Sequence, residues 1–254
     1  MRKPIFDVIR AQRGKGFTQR EVEAVDEVLD TLGIPRDEAP VVTPKPRNLP
    51  ETLTAPHDTG LEDASAFISA VKASLFSNKL KPDQKKGLEA ILSAATEAKW
   101  PLAFVSYGLA TAYHETAFTM QPVVEAFWLS ESWRERNLRY YPYHGRGYVQ
   151  LTWESNYEKA DKKLGLEGRL LANLDLALDP DIAARIMVKG MEEGWFCGDR
   201  SGKRHTLKRH VPTSGPGNLE QYKEARRIIN GRDKAATIAK YALKFQDALK
   251  AGGW

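Results

Sequence analysis

The stretch HGRGYVQLTWESNYEKA, His144–Ala160, is where the periodicity of the chain changes. Tyr148, Gln150 and Thr152 alternate there with Val149, Leu151 and Trp153. Successive side chains of a strand point to opposite faces. The alternation therefore predicts a short strand with an apolar face turned to a core. Its other face would carry a phenol, an amide and a hydroxyl in a row. Such a row, with an aromatic beside it, suits a sugar-binding cleft; a half-exposed strand with ordinary polar residues outside reads the same way. Gly145 and Gly147 permit a bend or a close backbone approach just before it. The lone Gly-Arg-Gly is not a phosphate loop, because it lacks the glycine spacing and the Lys-Ser/Thr pair. Ser155 with Glu158 three residues later forms a capping-box pattern, which predicts a helix with Asn156 and Tyr157 in its first turn.

Away from this stretch the pattern is helical. Pro101 opens a helix with apolar Leu102, Val105, Leu109 and Ala112 at spacings of three and four. Asp179-Pro180 reads as an N-cap followed by proline at the first helical position, leading into Ile182, Ile186 and Met187. Ile238, Tyr241, Phe245 and Leu249 mark a last helix.

The first of these helices runs into a carboxylate. Glu115 sits near its C-terminus, where the negative end of the helix dipole and apolar neighbours both disfavour an ionised side chain. A carboxyl kept protonated near neutral pH is a candidate general acid. Glu125 follows ten residues later, about 15 Å along a continuous helix, too far to act on the same bond. Pro122 forbids such a helix, so a turn near Met120–Pro122 would bring Glu125 back. Glycosidases need two carboxyl groups, about 6.5–9.5 Å apart for inversion and about 5 Å for retention. Glu131 and Glu135 are rival second acids in a polar run that also reads as solvated surface. Glu115 could instead cap a helix or pair with an arginine. His114-Glu115 begins an HExxH pattern, but Phe118 occupies the fifth position, so no zinc site is expected.

A length of 254 residues with 42% hydrophobic content supports one good core and a small extra module. The net charge of +5 suits an anionic partner: nucleic acid, a lipid surface or an acidic wall polymer. The densest basic run, Lys203–His210, reads as a solvated loop, and a nucleic-acid partner is not expected. One cysteine, Cys197, excludes a disulfide framework within the chain and reads as an idle thiol. There is no apolar signal segment and no run of 18 apolar residues, so neither a signal peptide nor membrane insertion is expected. A cytosolic protein is expected, which something else must release if it acts outside.

Six of the fourteen prolines fall between residues 34 and 60, which predicts a semi-extended linker. It divides a short module at 1–33 from a main domain at 61–254. Phe6–Leu29 and Phe67–Leu92 echo one another, each reading as helix, polar turn, helix. Thr18 and Glu21 form a capping-box pattern in the first copy. That module reads either as a wall- or partner-binding arm or as a helical appendage.

Three motifs taken in order carry a family resemblance: HET at His114–Thr116, GRGYVQLTW…NY at Gly145–Tyr157 and RRIING at Arg226–Gly231. Together they resemble glycoside hydrolase family 19, in particular its phage endolysin branch, over roughly Ala66 to Leu249. The resemblance implies a mainly α, lysozyme-like fold with a small β-region beside the cleft. It places Glu115 as the catalytic acid. Gln150, Thr152 and Asn156 match the family's substrate- and water-positioning set, and Asn230 matches the asparagine of its late IING motif. Glu125 matches the glutamate of the endolysin pattern HETxxTMQPxxE, and Thr152 matches a residue that helps hold the attacking water. With Tyr148, Gln150, Asn156 and Asn230 as substrate-binding residues, the implied activity is inverting hydrolysis of β-1,4 bonds in bacterial peptidoglycan, with neither metal nor cofactor. The alternative is a chitinase acting on N-acetylglucosamine polymers. The implied setting is a monomer held in the host cytoplasm and released by a separate pore-forming protein. Departures are the single cysteine, where plant chitinases carry several, and Ser201–Asn218, which matches nothing in the family pattern.

Overall fold

The computed structural model describes Val25, Val28, Leu29, Thr31, Leu32 and residues 58–254. The chain divides into two compact units, Met1–Pro40 and Val41–Trp254. In the first, Val25, Val28, Leu29 and Thr31 are helical, with Leu29 buried and Val28 and Leu32 exposed. The expected first helix at Phe6, the Thr18 capping box and nearly all of the proline-rich linker lie outside the described residues.

The second unit is mainly α. In chain order it comprises α1 (Ala64–Ser74), α2 (Pro82–Glu97), α3 (Leu102–Glu115), β1 (Val123–Val124), α4 (Glu131–Asn137), β2 (Arg146–Gly147), α5 (Glu154–Leu164), α6 (Arg169–Ala172), α7 (Pro180–Glu193), α8 (Leu207–His210), α9 (Leu219–Ala225) and α10 (Ala235–Ala251). Short 3₁₀ turns at Leu174–Leu178 and Arg226–Ile228 complete it. No helix of the described residues is long and apolar enough to cross a membrane.

The centre is α3. Every residue from Ala103 to Tyr113 is buried, as expected for a helix apolar on all sides. Helix α10 packs along it, with α1 and α9 against α10 and α2 against α7. Close approach is built in by glycine. A Cβ at Gly108 would lie 2.7 Å from the Trp100 ring, and one at Gly87 only 1.7 Å from the Met120 carbonyl oxygen. Helix α7 starts as its sequence predicts: the Asp179 carboxylate accepts from the amides of Asp181 and Ile182 ahead of Pro180.

A smaller apolar cluster of Leu151, Tyr157, Leu166, Leu170, Ile182 and Trp195 lies beside the main core. The segment 148–151 joins the two: Tyr148 and Val149 belong to the large core, Leu151 to the small one. This arrangement overturns the predicted strand. Only Arg146–Gly147 is extended, paired antiparallel with Val123–Val124. Arg146 and Leu151 then exchange backbone hydrogen bonds of 3.2 and 2.8 Å, closing a turn in which Gln150 has φ 55°. Consecutive residues at the tip of a turn can both face inward, so alternation fails where two cores compete for neighbouring side chains. The helix after it also starts differently. Trp153 is the N-cap, with φ 74° and no side-chain cap, so the Ser155 capping box does not form.

Candidate active site

Glu115 is the last residue of α3, and its side chain is 18% exposed. Its Oε1 accepts from Arg226 Nη1 at 2.5 Å. The Arg226 side chain is only 2% exposed, and its Nε donates to the Asp233 carbonyl at 2.9 Å. Besides the apolar neighbours, Glu115 therefore meets an arginine on one oxygen, the alternative its sequence left open, while Oε2 makes no hydrogen bond to any described residue. Asn230 lies one turn beyond Arg226, exposed, with its amide donating to the Arg226 carbonyl at 3.0 Å.

After Glu115 the chain reverses. Ala117, Phe118 and Met120 all have positive φ, between 48° and 69°. The turn is sewn to the start of α2: Gln84 Nε2 donates to the Phe118 carbonyl at 3.0 Å and Gln121 Nε2 to the Asp83 carbonyl at 2.6 Å. Thr116 Oγ1 receives the Met120 amide at 3.0 Å. This reversal ends the helical path at Glu115 and starts β1 eight residues later, at Val123.

Glu125 follows β1 directly, and its amide donates to the Gly145 carbonyl at 2.7 Å, extending the β1–β2 pairing. Its carboxylate is gripped from two sides. Oε1 accepts from the Tyr140 hydroxyl at 2.6 Å and Oε2 from the Gly145 amide at 2.8 Å. Burial, then the adjacent Glu125 carboxylate, raises the Tyr140 pKa, so the phenol keeps the proton it donates.

Gln150 completes this group. Its Nε2 donates to the carbonyls of Val123 and Gly147 at 3.2 and 3.4 Å. A Cβ at Gly145 would lie 2.6 Å from Gln150 Oε1 and 3.1 Å from Glu125 Oε2, so both oxygens flank the same glycine. Thr152 Oγ1 donates to the Gln150 carbonyl at 2.7 Å, and Asn156 Nδ2 donates to the Thr152 carbonyl at 2.9 Å. Gln150, Thr152 and Asn156 thus form a hydrogen-bonded chain that meets Glu125 across Gly145, while Glu115 and Asn230 are joined through Arg226.

Tyr148 does not belong to the site. It is fully buried, its hydroxyl has no hydrogen-bond partner among the described residues, and burial raises its pKa. The expected polar row is broken because Tyr148 turns into the core. The rival acids have other settings. Glu131 pairs with Arg134 at 2.6 Å; burial, the largest single influence, raises its pKa, but the Arg134 bond and charge and a Tyr141 hydrogen bond together outweigh it and lower the pKa. Glu135 is exposed on the short helix α4.

The basic run Lys203–His210 is folded rather than solvated throughout. Leu207 is fully buried, His205 Nδ1 lies 2.8 Å from His210 Nε2, and Arg209 pairs with Asp199 at 2.8 Å. Cys197 fits an idle thiol: its Sγ donates to the Ile229 carbonyl at 3.2 Å, and burial pushes its pKa up.

The sequence reading missed Arg226, Tyr140 and the Gly145 amide as partners of the two acids. Arg226 stands inside the RRIING motif and could have been flagged there. Tyr140 lies in the aromatic run RYYPYH, which carried no periodic signal.

The fold is mainly α and lysozyme-like. It is similar to that of chitinase C from Streptomyces griseus HUT6037, with a TM-score of 0.51 and 21% identity, covering 77% of this chain and 79% of that one. A bacterial family 19 chitinase also matches, at 21% identity over 73% of this chain and 85% of that one, but superimposes less well, with a TM-score of 0.34. No protein-family model matches the chain. No curated protein matches it either.

Proposed function

We propose that the protein is a glycoside hydrolase acting on β-1,4 bonds between N-acetylated amino sugars. The observation that carries this reading is the contrast between two carboxylates on one lysozyme-like frame. Glu115 presents at a helix end an Oε2 with no hydrogen bond to any described residue, and Glu125 is fixed as an acceptor by Tyr140 and Gly145. Glu115 Oε2 protonates the leaving glycosidic oxygen. Glu125, with Thr152, holds the attacking water and takes its proton as water adds to the anomeric carbon. Gln150, Asn156 and Asn230 orient the sugar. Without a covalent intermediate, the anomeric configuration inverts.

The substrate we favour is bacterial peptidoglycan, with the protein acting as a phage endolysin. The motif set HET, TMQPxxE and GRGYVQLTW supports that branch, and the net charge of +5 suits an anionic mesh. In this reading the protein is a monomer held in the host cytoplasm, and residues 1–33 serve as a wall-binding arm joined through the linker at 34–60. The second reading is a chitinase, which the likeness to chitinase C favours. Mass spectrometry of products from purified murein and from chitin oligomers tests both. Muropeptides with new reducing ends from murein are expected. Reducing ends from chitin alone would reverse the order, and amide cleavage in murein would reject both.

A further inference from the structure

Trp153 is the only exposed aromatic among the described residues, at 44% exposure. It is also held at φ 74°, a backbone region that bulky residues rarely enter. An exposed ring in a strained backbone follows no packing demand, and such outliers gather at functional sites. What holds it there is visible. Its amide donates to the Tyr143 carbonyl at 2.9 Å, and its carbonyl accepts from the amides of Asn156 and Tyr157, starting α5. The ring meets Tyr140 edge-on at 5.0 Å, and Tyr140 is the residue whose hydroxyl grips Glu125. The indole is therefore one side chain away from the proposed base, and directly follows Thr152.

Over the same indole lies the Arg139 guanidinium, 5.0 Å from the ring centroid. Arg139 is exposed and forms no ion pair with any carboxylate of the described residues. Arg134, Arg146, Arg209 and Arg226 all have acidic partners. An uncompensated cation on an exposed aromatic next to a sugar-cleaving carboxylate has two recognition elements in one place. The part of the indole left exposed beside the guanidinium offers a flat apolar surface to the C–H face of a pyranose. The guanidinium offers a planar fork matched to a carboxylate.

We propose that Trp153 and Arg139 form a saccharide subsite for an amino sugar bearing a free carboxylate, as the acidic sugar of peptidoglycan does where it carries no peptide stem. Neutral sugars meet only the indole there. This assignment rests on the glycosidase reading and narrows its substrate class.

The test measures binding apart from turnover. Two soluble tetrasaccharides are titrated calorimetrically into the Glu115→Gln protein: an alternating N-acetylglucosamine/N-acetylmuramic acid chain and a neutral N-acetylglucosamine chain. Adding Arg139→Ala should weaken the acidic ligand about fivefold, as for an exposed ion pair, leave the neutral one unchanged, and lose its effect in high salt. Adding Trp153→Ala should weaken both about tenfold, and Trp153→Phe should restore most of the loss. Arg139→Ala acting equally on both ligands or on neither, Trp153→Ala leaving both unchanged, or no binding of either ligand would overturn the subsite. If the predicted binding pattern holds while the unmodified protein cleaves neither murein nor chitin, the subsite stands and the glycosidase reading falls. If the protein cleaves but the two ligands respond alike to Arg139→Ala, the reverse follows.

Discussion

The two carboxylates sit in unlike settings. Glu115 ends a fully buried helix and pairs with an arginine that is itself enclosed by the core. Glu125 follows a two-residue strand, and both of its hydrogen bonds come from the single loop segment Tyr140–Gly145. The first acid is placed by the main core, the second by a local hairpin. Packing changes near Glu115 should therefore reach stability and activity together. Changes near Glu125 should reach activity with little effect on stability.

The largest expected effect is at Glu115. Glu115→Gln keeps the shape but removes the proton donor, so kcat on murein should fall about 10³-fold. Activity within about tenfold of the unmodified protein, measured by reducing-end release, would remove Glu115 from the chemistry. Next is the turn that follows it. Gly87→Ala drives a methyl group into the Met120 backbone, which cannot yield as a side chain can. Chemical denaturation should show a loss of about 3 kcal/mol, with activity falling in parallel. Unchanged stability would mean that the turn is not clamped by α2.

On the other side, Gly145→Ala meets the ends of Gln150 and Glu125, which can move. We expect kcat to drop about 10²-fold while the melting temperature shifts by only a few degrees. Unfolding instead would show that the hairpin also carries the core. Tyr140→Phe removes one of the two grips on Glu125 and should cost about tenfold in kcat and about 1 kcal/mol in stability. Equal activity in the two proteins would leave Tyr140 without a positioning role.

The smallest effect concerns His144, next to Gly145 and fully buried with neither ring nitrogen hydrogen-bonded to any described residue. Burial, reinforced by the Arg146 charge, lowers its pKa from 6.5 to about 4. His210 is also lowered to about 4, by burial and then by His205. Between pH 6.5 and pH 4 the unfolded chain binds protons that the folded chain refuses. The histidine contribution to stability should therefore be full above pH 6.5, fall as pH drops through this window, and flatten below about pH 4. His144→Gln should reduce that slope in a melting-temperature series, leaving the part due to His210. An unaltered slope would assign the whole dependence elsewhere.

These two settings differed equally in how readable they were. The apolar run after Pro101 reads as a buried helix, and its end at Glu115 follows from that reading. The reversal near Pro122 was legible because proline forbids the alternative. The hairpin was not. Alternation from Tyr148 to Trp153 resembles a strand at the level of side-chain type. Yet Tyr148 and Val149 both turn into one core and Leu151 into another, which removes Tyr148 from the predicted polar row. Ser155 lost its capping role because Trp153 ends the turn two residues earlier.

By itself the sequence determined the helical class of the fold, the positions of α3, α7 and α10, and the candidate acids. Those features depend on periodicity, capping and proline, which act over a few residues. Only the tertiary structure decided the partners of those acids. Arg226 reaches Glu115 across 111 positions, and Tyr140 reaches Glu125 across 15 through a turn that no local pattern announces. Such pairings depend on how helices and hairpins pack, and packing is set by contacts between segments rather than by the order of residues within one.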